Sequence, residues 1–107
     1  MSAIAEKVSA ILRSVPAEVT VVAVCKGRSA LSVMEAVEAG IRLLGQNYIA
    51  DARRVGPAVR GQAAMHFIGR LRVHDVRASS HSLFDMIQSL HPLEAAVRID
   101  RVCSVIG

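Results

Sequence analysis

Four apolar, strand-like segments end in polar or small residues at nearly equal intervals, and this recurrence limits the fold more than any other feature. Val21-Val22-Ala23-Val24-Cys25 closes on Lys26, and Gly45-Gln46-Asn47, Phe67-Ile68-Gly69 and Ile87-Gln88-Ser89 follow. From Lys26 through Asn47 and Gly69 to Ser89 the steps are 21, 22 and 20 residues. A step of that size fits one buried strand, one helix and two short loops. The chain reads as α/β, with parallel strands, outer helices and polar strand ends gathered on one rim. Parallel α/β sheets carry their chemistry on that rim, outside the carboxyl ends of the strands. A lysine there points to carbonyl or anion chemistry.

At 107 residues the chain makes at most one domain, taken here as 1–107. Hydrophobic residues make up 52% and the mean hydropathy is +0.40. Parallel strands covered on both faces account for this, because they read as continuous apolar runs. No run approaches the roughly 18 apolar residues of a membrane span. The opening Met-Ser-Ala-Ile-Ala-Glu-Lys is amphipathic and unlike a signal peptide, which argues for a cytoplasmic protein. Cys25 and Cys103 fit no zinc or redox spacing and read as buried, reduced thiols. The net charge is +4. Arg53, Arg54, Arg60, Arg70, Arg72 and Arg77 are opposed within their stretch only by Asp75. Solvated helix faces explain them most simply. A nucleic-acid surface is disfavoured, since Phe67 is the sole aromatic among them.

Periodicity predicts a helix over 2–14, stopped by Pro16, and a first strand from Val19 to Cys25. Ser29 or Ser32 can cap the second helix, with Val33, Met34 and Val37 inward and Gly40 just past its end. Strands follow at Ile41–Gly45, Met65–Ile68 and Phe84–Gln88. The helix from Ile49 buries Ala52 and Val55, and Gly56-Pro57 is expected to break or kink it. An Arg-rich helix over Leu71, Val73 and Val76 and a last helix opened by Pro92 complete the pattern.

Taken in order, these motifs resemble the pyridoxal phosphate homeostasis protein family, related to the N-terminal barrel of the alanine racemase, or fold-type III, enzymes. The family's first strand ends in an apolar run plus Ser-Lys, matched by Val24-Cys25-Lys26. Its Gly-Glu-Asn-Tyr is matched by Gly45-Gln46-Asn47-Tyr48, and its His-Phe-Ile-Gly-x-Leu by His66 through Leu71. Its fourth strand carries a His-Ser-Val-Asp type end, here Gln88-Ser89-Leu90-His91. Gln46 stands where the family has glutamate, and Arg72, His74, Asp75 and His91 also depart from its pattern. A full (β/α)8 barrel needs roughly 250 residues and holds phosphate after strands seven and eight. The expectation is therefore the N-terminal half of a TIM-like barrel, without the family's phosphate-anchoring strands.

The resemblance implies that Lys26 holds pyridoxal phosphate as a Schiff base, with Asn47, Gly69 and Ser89 beside it. Spacing alone favours plainer accounts for Lys26 and Ser89: a lysine leaving into solvent and a serine ending a strand. For Asn47 a loop asparagine bonding its own backbone is as good an account, and turn chemistry alone would select Gly69. No catalytic constellation appears, and His66, His74, His81 and His91 lack metal-ligand spacing. The function implied is cofactor homeostasis without turnover, with cofactor binding weak or lost for want of the phosphate half. The alternatives are a non-binding interaction module or remnant, or one half of a split racemase-like enzyme. Expected partners are pyridoxal phosphate and either a second copy or a complementary half-barrel.

Overall fold

The computed structural model describes residues 2–70, 83–89 and 96–101. Its elements run α1 (Ala3–Ser14), β1 (Ala23–Val24), α2 (Ala30–Glu38), β2 (Leu43–Gln46), α3 (Ile49–Val59), β3 (Ala64–Phe67) and β4 (Met86–Ile87). Residues 96–101 are helical. The strands form one sheet in the order β1-β2-β3-β4, each pair parallel. This is the expected half of a TIM-like barrel. The Arg-rich helix over Leu71, Val73 and Val76, the helix start at Pro92, and Cys103, His74, His81 and His91 lie outside the described residues.

Serine side chains satisfy orphan backbone groups at the starts of α1 and α2, whereas α3 starts at Tyr48 with no side-chain cap. Ser2 caps α1, accepting from the Ala5 N–H at 3.1 Å. Ser29, not Ser32, caps α2, accepting from the Ser32 N–H at 3.1 Å. Past Ala39, the Gly40 N–H bonds Val37 O and the Ile41 N–H bonds Ala36 O, both at 3.1 Å, the paired bonds of a Schellman ending. Pro57 does not end α3, which runs on to Val59. A residue with a Cβ before proline is driven out of the α region. Gly56 lacks that atom, and the buried Val55 and Val59 hold the last turn against the core.

The first strand is shorter than its apolar run. Val19 lies in a turn, its N–H bonding Pro16 O at 3.0 Å, and only Ala23 and Val24 pair with β2. As the edge of the described sheet, β1 has partners on one side only, and these start at Leu44.

Register sorts the side chains into two faces. Leu44 and Met65 pair across the sheet, as do Gln46 and Phe67, and all four are buried. Leu44 and Met65 join Cys25, Val33, Val37, Ile41, Ala52, Val55 and Val59 in the core between sheet and helices, and Phe67 packs in a second cluster with Ile49, Phe84, Ile87 and Ile99. Each fully buried aliphatic side chain there contributes roughly 1.5–3 kcal/mol. The other face carries the row Val24, Gly45, His66 and Met86. Val24 is 58% and Met86 54% exposed, so this face is open at both edges, while the Ile68 and Val22 side chains cover Gly45 between them.

Candidate functional site

The carboxyl ends of β1, β2 and β3 turn directly into the segments that hold the sequence-derived candidates. β1 continues to Cys25, whose N–H bonds Gly45 O at 3.0 Å. The chain then turns: the Arg28 N–H bonds Cys25 O at 3.0 Å, and Gly27 has φ +71°. A positive φ at the third position is the signature of a type II turn, which glycine adopts without a Cβ clash. Lys26 occupies the second position, where its side chain is presented outward.

Lys26 is exposed. Its Nζ lies over the Tyr48 ring, 5.9 Å from the centroid, within the range of a cation–π contact. Tyr48 follows Asn47 and is the N-terminal boundary residue of α3.

Asn47, Gly69 and Ser89 come into direct contact. The Ile68 N–H bonds Gln46 O at 2.9 Å, drawing the end of β3 against that of β2. A Cβ built on Gly69 would stand 2.7 Å from both Cα and C of Asn47, and closer still to its carbonyl oxygen. Only a glycine fits there. The Gln88 N–H bonds Phe67 O at 2.9 Å, and the Ser89 hydroxyl donates to Gly69 O. All four candidates thus sit on one rim, Lys26 joined to the others through Tyr48.

Two carboxamides at this rim are underused. Gln46 is fully buried, and neither its Nε2 nor its Oε1 meets a partner among the described residues. The Oδ1 of Asn47 is likewise buried and unpaired there. Beside them, burial pushes the Cys25 thiol pKa up, and the negative charge of Asp51 adds to the effect. Cys25 is thus a protonated, enclosed thiol and not an activated nucleophile.

His66 is half-buried on the open face, its Nδ1 2.9 Å from the Gln88 amide nitrogen. No cluster of His, Cys, Asp or Glu among the described residues is arranged to hold a metal ion. No helix among them is long and apolar enough to cross a membrane. A cleft of about 250 Å³ opens elsewhere, at the end of α3 and the start of β3, lined by Arg53, Pro57, Arg60, Met65, Leu83 and Asp85. We place the site at the rim and not there, because the cleft's carboxylate is already engaged: Asp85 Oδ2 accepts from the Met65 N–H at 2.8 Å.

Sequence reasoning missed Tyr48 as a neighbour of Lys26, the burial of Gln46, and Arg54. Arg54 is more than part of a solvated face: its Nη2 donates to Arg28 O at 2.8 Å, across from α3 to the lysine turn. The Lys26 and Tyr48 spacings held the first signal. Nothing in the sequence marks the other two.

No family model and no curated protein matches the chain. Among solved structures, PipY of Synechococcus elongatus with pyridoxal phosphate bound matches at TM-score 0.85 and 28% identity, over 97% of this chain and 50% of PipY. PipY without the cofactor matches at 0.84 and 28% identity, over 97% of this chain and 49% of PipY. An unknown protein from Bifidobacterium adolescentis shares the fold, at 0.69 and 20% identity, over 97% of this chain and 48% of that one. The chain spans about half the length of these structures. In fold and in the order of its motifs, it is similar to the N-terminal half of a pyridoxal phosphate homeostasis protein.

Proposed function

We propose that this chain is a cofactor-homeostasis-type protein that holds pyridoxal phosphate as a Schiff base on Lys26. The observation that carries this reading is the meeting of Lys26, Asn47, Gly69 and Ser89 on one rim, in a fold that matches PipY with that cofactor bound. The cofactor supplies an aldehyde, which condenses with a neutral amine and releases water.

The residues present fit that group. The type II turn presents the Lys26 amine, and the Tyr48 ring lies beneath it. Asn47 Oδ1 is a buried acceptor with no donor among the described residues. Gly69 lets the Asn47 backbone pack against it and accepts from the Ser89 hydroxyl, so it ties Asn47 and Ser89 into one rim. The Ser89 proton is committed to Gly69 O, which leaves the hydroxyl's lone pairs to accept. No role here needs turnover. In (β/α)8 barrels phosphate is held after strands seven and eight, and the four strands among the described residues carry the aldehyde-capturing lysine on their rim. The open face bearing Val24 and Met86 supports a second reading, a module whose sheet is covered by a complementary half-barrel or a second copy.

The test is an absorbance titration of the purified chain with pyridoxal phosphate and with pyridoxal, followed by borohydride reduction and peptide mapping. The chain has two lysines, Lys7 and Lys26. Label confined to Lys26 is the expected result. Equal labelling of Lys7 and Lys26 removes the proposal.

A further inference from the structure

We propose that Arg54 is a positioning residue that holds the lysine turn in register with α3, and so keeps the Lys26 amine over the Tyr48 ring. The inference rests on Lys26 being the capturing group.

The geometry links two rigid pieces. One is the turn from Cys25 to Arg28. Its first residue is tied to β2 through the Cys25 N–H and Gly45 O, and it is closed by the Arg28 N–H on Cys25 O. The next residue, Ser29, is the N-cap of α2. The second piece is α3, which carries Tyr48 at its start and Arg54 within its second turn. The Arg54 guanidinium donates from Nη2 to Arg28 O at 2.8 Å. The same nitrogen lies 3.2 Å from Asp51 Oδ1, one turn earlier on α3. Asp51 therefore orients the guanidinium, and the guanidinium grips the turn. Arg28 is held from both sides, its N–H by Cys25 and its carbonyl by Arg54.

The consequence falls on Lys26. Lys26 moves with the turn and Tyr48 moves with α3, so the Arg54–Arg28 bond restricts sliding of one past the other. The Arg54–Asp51 pair is partly solvated, with the Arg54 side chain 45% exposed, so it adds little to overall stability. Its effect is on the placement of one amine, the kind of geometric constraint that changes capture rates more than folding.

The test compares the wild-type chain with Arg54→Ala and Arg54→Lys. Pyridoxal is the probe, trapped by borohydride, and the readout is the ratio of label on Lys26 to label on Lys7. Lys7 lies in α1 and serves as an internal reference for general amine reactivity. Arg54→Ala should lower the ratio by about three- to tenfold, the worth of one half-exposed charged hydrogen bond. Arg54→Lys, which keeps a cationic donor, should restore part of it, with thermal unfolding unchanged in both. A second measurement does not depend on aldehyde capture: hydrogen exchange at the Arg28 amide should quicken in Arg54→Ala. Unchanged Arg28 exchange overturns the clamp. Quickened exchange with an unchanged label ratio overturns the positioning role. If the wild-type chain shows no preference for Lys26, the cofactor reading fails, and the clamp then stands or falls on the Arg28 amide alone.

Discussion

Replacing Gly69 with alanine should damage both the rim and the fold, and the size of the effect can be worked from the contact it makes. The added methyl would sit 2.7 Å from Asn47 Cα and C, where ordinary contact begins at 3.4 Å. Both obstructing atoms are main chain, so no rotamer change relieves the clash. The ends of β2 and β3 must separate instead. That strains the Ile68–Gln46 backbone bond and the Ser89 bond to Gly69 O. Overpacking of this kind costs about 1–3 kcal/mol, and one lost backbone hydrogen bond adds about 1 kcal/mol. The expected loss is therefore about 2–4 kcal/mol, a large share of the roughly 5–15 kcal/mol that holds a domain folded. Urea denaturation measures it. Gly27 provides the control, because a Cβ there meets nothing within 4 Å and the cost of alanine comes only from φ +71°. Asparagine tolerates that conformation. Gly27→Asn should thus be milder than Gly27→Ala, whereas Gly69→Asn should be worse than Gly69→Ala. A Gly69→Ala chain as stable as wild type would refute the close approach of Asn47 to Gly69, and with it the assembly of the site.

Gln46→Leu should leave stability unchanged or raise it by about 1–2 kcal/mol, since it removes a buried carboxamide with both ends unpaired. A loss above about 1 kcal/mol in denaturation would show that the carboxamide has a partner. Cys25 should react slowly with a thiol reagent at neutral pH, and Asp51→Asn should speed the reaction modestly. Because burial and Asp51 raise the thiol pKa in the folded chain, its contribution to stability is intact below the unfolded thiol's pKa. That contribution is lost as pH rises through the folded value, so Cys25→Ser should flatten the alkaline fall in stability. An identical fall in both chains would show that Cys25 does not couple to folding.

The strand–helix order, the parallel sheet and the rim were legible because they depend on spacing and on apolar runs. The helix starts were legible where a serine could cap them, although Ser29 and Ser32 looked equivalent. Only the position of Ala30–Glu38 against the sheet decides between them. Pairing set the limits of the first strand: Val19 and Thr20 are β-branched, yet no strand among the described residues lies beside them. Propensity cannot see that. Gly56-Pro57 signals a turn, yet it does not break α3, because the buried Val55 and Val59 hold the same residues in the helix. The roles of Gln46 and Arg54 depend on what lies across the fold, which local sequence does not encode.

What places the chemistry is the alternation of a strand carried one residue past its end. Cys25 pairs onward from Ala23 and Val24 and turns its thiol toward the helices, where it is 3% exposed. Lys26 follows and takes the opposite direction, away from the core. The same alternation buries Gln46 and leaves Asn47 at the rim. A slip of one residue in the pairing of β1 would exchange these fates, driving the Lys26 ammonium into an apolar core and the thiol onto the rim. Burying an unpaired ammonium costs several kcal/mol even after relaxation, comparable with the whole stability of a domain. The apolar core thus does more than hold the chain together. By rejecting the wrong register, it fixes which of two adjacent side chains can meet an aldehyde.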